Sequence, residues 1–196
     1  MTDEMNVSMI DRTIAQRYYI FELVGIGGFS EIYKAVDKNT GRTVAIKLLK
    51  NELREDATLC DSFESEIDLL KRLDHPLVVN LLHIGRTDDG RRFIVLEYVE
   101  GKSLKELIKK EKYLSERKAV DIALSILKAL KYSHKVNILH GDIKPQNVMV
   151  GQDYIKLTDF GAARFNVSSL QHDLDKKEGN FGSLHYCSPE HVLNKP

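Results

Sequence analysis

The chain carries no surplus of charge. Lys+Arg and Asp+Glu number 29 each, so no global field draws it to nucleic acid or to an anionic membrane. Cysteine is scarce: Cys60 and Cys187 are far apart and share no metal-ligand spacing. They read as two free thiols in a reducing compartment, and the expected location is cytoplasmic. No apolar run approaches the roughly 20 residues of a membrane span. The N-terminal stretch Met1–Arg12 is acidic and lacks the apolar core of a secretory signal. Internal repeats and low-complexity tracts are also missing. What remains is 196 residues, 42% hydrophobic and 30% charged, a composition that fits a soluble globular domain.

Residues 1–16 read as a flexible leader. Tyr18–Val24 is rich in β-formers and reads as a strand. Gly25-Ile26-Gly27-Gly28-Phe29-Ser30 interrupts it, and Glu31–Asp37 resumes it, which makes a hairpin with a glycine-rich tip. Such glycines can serve a loop tip that needs positive φ. A strand after the glycines argues against a dinucleotide fingerprint, which requires a helix there. Thr43–Leu49 reads as a third strand, ending near Lys47, whose bland reading is an outward-pointing charge. Asp61–Leu73 reads as a helix with Phe63, Ile67, Leu70 and Leu73 on one stripe, Asp61 as N-cap and Glu64 in capping-box spacing. Val78–Ile84 and Phe93–Val99 read as strands. Ser103–Lys112 reads as a short helix. Ser115 caps a longer one to about His134, with Ala119, Ile122, Ala123, Ile126, Leu127 and Leu130 on its buried face. Val148–Val150 and Ile155–Leu157 make a small hairpin about Gly151-Gln152-Asp153. Ala162–Cys187 reads as a long loop.

Chemistry concentrates in His140-Gly141-Asp142-Ile143-Lys144-Pro145-Gln146-Asn147. Asp142 can take a proton from a hydroxyl, Lys144 can neutralise a phosphate, and Asn147 offers an uncharged oxygen to a metal ion. Asp159-Phe160-Gly161 then brings a second metal-binding carboxylate. A base, two metal ligands and a lysine suit phosphoryl transfer, where most of the work is positioning and charge neutralisation.

These motifs, taken in order with the glycine hairpin, Val44-Ala45-Ile46-Lys47 and Ser188-Pro189-Glu190, resemble the eukaryotic-type protein kinases from about Tyr18 to the end of the chain. The resemblance implies an α+β, two-lobed protein-kinase-like fold. Residues 17–99 would form an N-lobe with a five-stranded antiparallel sheet and one main helix. Residues 100–196 would form an incomplete, mainly helical C-lobe. It implies ATP and Mg2+ as cofactors, with Mn2+ as the alternative ion. Asp142 would be the base, Lys144 the phosphate-neutralising lysine, and Asn147 and Asp159 the metal ligands. Lys47 would hold the α- and β-phosphates, paired with Glu66, while Glu64 is the competing partner. Gly25, Gly27, Gly28 and Ser30 would cover the phosphates. Ile32, Ala45, Leu96 and Met149 would enclose the adenine, and the backbone at Glu97 and Val99 would bond its edge.

Lys144 and Ser183, at the position where the family presents a hydroxyl to the base, imply serine or threonine of a protein substrate as acceptor. No nucleic-acid partner and no membrane segment are expected, and the oligomeric state stays open. The chain departs from the family pattern in three places. Ser30 stands for the third glycine. Gly141 replaces the arginine that pairs with a loop phosphate. The family's further helices after the Pro-Glu segment are not in this sequence. Two readings therefore stand together: an active kinase catalytic domain, or a non-catalytic nucleotide-binding or interaction module derived from one.

Overall fold

Alternation of apolar and polar residues after Tyr18 pleats the chain into a sheet whose two faces differ in character. The structure, a computed structural model, describes residues 9–161, 164–165 and 186. Its first strands are β1 (Thr13–Ile14), β2 (Tyr18–Ile26), β3 (Ser30–Asp37) and β4 (Thr43–Leu49). Helix α1 (Ala57–Leu70) follows, then β5 (Leu81–Arg86) and β6 (Arg92–Glu97). These six strands form one antiparallel sheet in the order β1-β2-β3-β4-β6-β5.

One core cluster lies on one face, while Leu49 and Ile94 are buried on the other. In that cluster Ile20, Tyr33, Ala35, Val44, Ile46, Leu48, Phe93 and Val95 are buried with Tyr18, and Met9 and Ile14 close it. Burying each large side chain contributes about 1.5–3 kcal/mol, so this cluster holds the sheet together. The predicted five strands are thus six, and residues 9–16 are not a loose leader. Thr13 pairs with Tyr19 and Ile14 with Tyr18. A two-residue strand is too short to show an alternation in sequence, and only its partner reveals it. Residues 1–8 lie outside the described part.

The turn between β3 and β4 is fixed by Asp37. Its carboxylate accepts both Arg17 Nε and Nη2 at 2.8 Å, the Asn39 N–H at 3.0 Å and the Thr40 hydroxyl at 2.9 Å. The Arg17 guanidinium holds this carboxyl well below the usual carboxylate range.

Helix α1 begins four residues before the predicted Asp61. Asp56 caps it instead: its Oδ1 accepts the Leu59 N–H at 3.0 Å and its carbonyl the Cys60 N–H at 2.9 Å. Asp61 is therefore an exposed residue inside the helix, and its capping-box spacing to Glu64 is incidental.

The chain divides into two units, Met1–Phe63 with Leu81–Tyr98, and Glu64–Asn80 with Val99–Pro196. The predicted boundary at residue 99 assigns 64–80 to the first lobe, whereas the structure assigns it to the second unit. The cause is a set of long-range hydrogen bonds from this segment's backbone. Val79 donates to the Leu157 carbonyl at 2.9 Å, Leu157 to that of Leu77 at 2.8 Å, and the Asp74 N–H to the Tyr132 hydroxyl at 2.9 Å.

The second unit also contains β7 (Lys102–Ser103), α2 (Leu104–Glu111), α3 (Glu116–Lys135), β8 (Ile138–Leu139), β9 (Val148–Val150), β10 (Ile155–Leu157) and β11 (Arg164–Phe165). Strands β10, β9 and β7 pair in that order, and β11 pairs with β8. The latter pairing corrects the reading of 162–187 as wholly loop: Arg164 lies opposite Leu139 and Phe165 opposite Ile138. A full capping box starts α2, with Ser103 and Glu106 exchanging side-chain-to-backbone bonds. Ser115 caps α3, as predicted.

The buried face of α3 is narrower than its sequence suggests. Ile122, Ala129 and Ser133 are buried, whereas Ala119, Ala123 and Leu127 are exposed. Val120 and Leu124 are exposed beside them, so the helix carries a second apolar stripe that helical spacing alone cannot separate from the first.

Candidate active site

In the first unit, strand register gathers several predicted nucleotide residues on the sheet face opposite that cluster. Ile32 pairs with Gly25 and with Lys47, Lys34 with Ala45, and Ala45 with Leu96. Their neighbours in the chain, Tyr33, Ile46 and Val95, point into the core. Period-two alternation therefore places Ile32, Ala45, Lys47 and Leu96 on one surface. Lys47 is 9% exposed, which is unusual for a lysine and argues against an outward-pointing charge.

The hairpin tip closes by one bond, the Gly27 N–H to the Ser30 carbonyl at 2.8 Å. Left-handed backbone does not explain these glycines: the positive-φ glycines are Gly41, Gly90, Gly101 and Gly141. At Gly25 and Gly28 an added Cβ would meet nothing within 4 Å. Neither conformation nor packing calls for glycine there, and their bare backbone is open to approach from outside. Ser30 is buried at the base of the hairpin. That open backbone fits a phosphate-bearing ligand.

In the second unit, Gly141 takes φ +79°, a left-handed conformation that suits glycine and lets the chain turn tightly between His140 and Asp142. Lys144 Nζ lies 2.5 Å from Asp142 Oδ2. Asn147 Nδ2 donates to the Asp142 carbonyl at 2.8 Å and reaches Oδ2 at 3.3 Å. This fixes the amide, so Oδ1 is the end left to bind a cation. Base, lysine and asparagine are thus brought together by one short loop ending in a 3-10 turn at Pro145–Asn147. The loop is tied to the segment before Asp159. The Thr158 N–H donates to the Asn147 carbonyl at 2.9 Å, and its hydroxyl reaches the same oxygen at 3.2 Å. Asp159 itself has φ +60°, a strained conformation for a residue with a side chain. An amide oxygen and a carboxylate on two tethered segments are hard oxygen donors, the set a magnesium-like ion takes.

His140 is 2% exposed and organises the loop from beneath. Its Nε2 lies 3.0 Å from the Thr158 carbonyl, and its Nδ1 accepts the Asp142 N–H at 3.3 Å. Only the neutral tautomer with hydrogen on Nε2 satisfies both bonds. Burial pushes the imidazole below its ordinary value, against the opposing pull of the Thr158 carbonyl and of Asp159 and Asp142. Its ring packs on Phe160 with centroids 4.5 Å apart. In the sequence His140 stands in the motif with no evident task, and Thr158 carries no signal at all. Both act through backbone atoms, which no side-chain pattern announces.

The remaining predicted residues fall as follows. Glu66 is 5% exposed, whereas the competing Glu64 is half-buried. Glu97 ends β6, Val99 is buried, and Met149 is half-buried in β9. Ser183 and Ser188-Pro189-Glu190 lie outside the described residues, as do Cys187 and most of the 162–187 loop. Among the described residues no helix is long and apolar enough to cross a membrane.

A curled antiparallel sheet with a glycine-tipped hairpin, and a second unit with a base-bearing loop tied to an Asp-Phe-Gly segment, define a protein-kinase-like α+β fold. The chain belongs to the protein kinase domain family, whose sequence model matches residues 18–196. Proteins of this family use ATP and a divalent metal ion. Among its relatives is a probable serine/threonine-protein kinase of Clostridium perfringens, 40% identical over 184 residues that make up 93% of this chain and 26% of that one. A second, from Clostridium acetobutylicum, is 41% identical over 189 residues, 96% of this chain and 28% of the relative. The serine/threonine-protein kinase PrkC of Bacillus subtilis is 36% identical over 184 residues, 93% of this chain and 28% of PrkC. The chain thus spans little more than a quarter of the length of these relatives.

Proposed function

We propose that this chain transfers the γ-phosphoryl group of ATP to serine or threonine hydroxyls of protein substrates, with Mg2+ as its metal ion and Mn2+ as the alternative. The observation that carries the reading is the loop constellation: Lys144 Nζ 2.5 Å and Asn147 Nδ2 3.3 Å from the same Asp142 oxygen. Asp142 accepts the proton of the attacking hydroxyl. Lys144 restrains that carboxylate and neutralises charge on the phosphate in transfer. Asn147 Oδ1 and the Asp159 carboxylate hold the metal, which when bound spreads the charge that develops on the phosphoryl oxygens. The glycine hairpin, with its open backbone at Gly25 and Gly28, covers the phosphates. Lys47 of the first unit binds them, and of the two candidate glutamates in the second unit Glu66 is the one removed from water. For adenine, Ile32, Ala45, Leu96 and the Glu97 backbone are the residues the first unit would contribute, and Met149 and the Val99 backbone those of the second. The names of the relatives support serine/threonine over tyrosine as acceptor.

The test is transfer of label from γ-labelled ATP to a generic basic protein, with and without Mg2+, followed by phosphoamino-acid analysis. Metal-dependent label on serine and threonine is expected. Nucleotide binding with no transfer under any metal would contradict the reading.

A further inference from the structure

Strand β2 contains an irregularity that changes which side chains share a face. Ile20 lies opposite Ala35 and Glu22 opposite Lys34, so two steps on β2 match one on β3 and Phe21 is the extra residue. Ile20 belongs to the buried core, while Glu22 lies on the other face in the row Glu22–Lys34–Ala45–Leu96. A bulge of this kind re-aims a side chain. Here Phe21 comes to lie by Lys34, whose Nζ is 5.7 Å from the Phe21 ring centroid and 4.4 Å from that of Tyr98. The half-buried lysine of β3 thus bridges an aromatic ring of the bulge and one just past the end of β6. Both distances are within the range in which an ammonium is drawn to a ring face.

Tyr98 stands in sequence between Glu97 and Val99, the two positions whose backbone would bond the adenine edge. We infer that Lys34 is a positioning residue for adenine: through its charge it holds Phe21 and Tyr98 together and so fixes the backbone at the end of β6. Lys34 acts through Tyr98 and not on the phosphates, which belong to the glycine hairpin and Lys47. The inference rests on the phosphotransfer reading above for where adenine lies.

The experiment measures Kd for ATP and for adenosine with the full chain, Lys34→Met, Lys34→Arg and Tyr98→Leu. Methionine keeps a long flexible stem and removes the charge; arginine keeps a cation able to stack. Loss of two cation–ring contacts is expected to raise both Kd values about three- to tenfold and by the same factor. Lys34→Arg should restore them, and Tyr98→Leu should reproduce the rise. Unchanged Kd values in Lys34→Met would overturn the inference alone, provided the parent binds ATP. A rise for ATP without one for adenosine would also overturn it, because the charge would then act at the phosphates. So would a Lys34→Arg protein as weak as Lys34→Met. A parent chain that binds no nucleotide would overturn the phosphotransfer reading and this inference with it.

Discussion

His140 shows how much of the site is settled by one side chain that touches no substrate. Its two ring nitrogens join the Asp142 amide to the Thr158 carbonyl, and both bonds require the neutral ring. The sign of its pH effect follows from the depressed folded-state value. In the unfolded chain the ring takes up a proton near 6.5; in the folded chain it resists until lower pH. The stability that depends on neutral His140 is complete above about 6.5 and is lost as pH falls through the folded value. An NMR titration of the His140 ring should therefore give a midpoint below the ordinary one, and a midpoint above it would contradict the buried neutral form. Asp142, Lys144, Asn147 and Asp159 were legible in sequence because the chemistry needs those side-chain types at those spacings. Thr158 was not, since its contribution comes from its backbone and from a hydroxyl bonded to a backbone carbonyl.

At the scale of elements, legibility tracks the strength of the local signal. β4 matches its predicted range, and β3 begins one residue before its own, because β-formers and turn residues bound both. Ser115 announces α3, but Asp61 misplaces the start of α1, since any Asp three residues before a Glu imitates a capping box and the tertiary setting chooses Asp56. β1 and β11 are two residues each and exist only through their partners. The Phe21 bulge is invisible for the same reason: it is a mismatch between two strands, not a property of either. Among the caps, that of α2 is the most complete. Ser103→Ala removes a hydroxyl that accepts the Glu106 N–H and meets its carboxylate. The substitution should cost about 1 kcal/mol, read as a lowered urea midpoint at unchanged slope. A midpoint identical to the parent's would mean that the box adds nothing.

For the whole molecule, the family was written in the order of its motifs, while the division into units was not. Residues 64–80 follow the first unit's strands in sequence but bond to Leu157 and Tyr132, and such long-range pairing has no local pattern. The two apolar stripes of α3 were merged for a related reason, because spacing tells which residues share a face and not which face meets a neighbour. Regulation also belongs to this scale. Gly141 has no side chain to pair with a phosphate beside the base, and its φ of +79° disfavours any residue that has one. Activity is therefore expected to survive phosphatase treatment and to be independent of phosphorylation at Ser168, Ser169 or Ser183, residues outside the described part. Loss of activity on dephosphorylation, with recovery on rephosphorylation, would contradict this; Arg164, Lys176 and Lys177 would then be the candidates to supply the missing charge. The most direct test of Asp142 as the base is a paired measurement of ATP Kd and kcat for the parent and for Asp142→Asn. Nucleotide binding should be nearly unchanged and kcat lowered by about 10²-fold or more, as on loss of a positioned base. Equal kcat in the two proteins would contradict the role of Asp142.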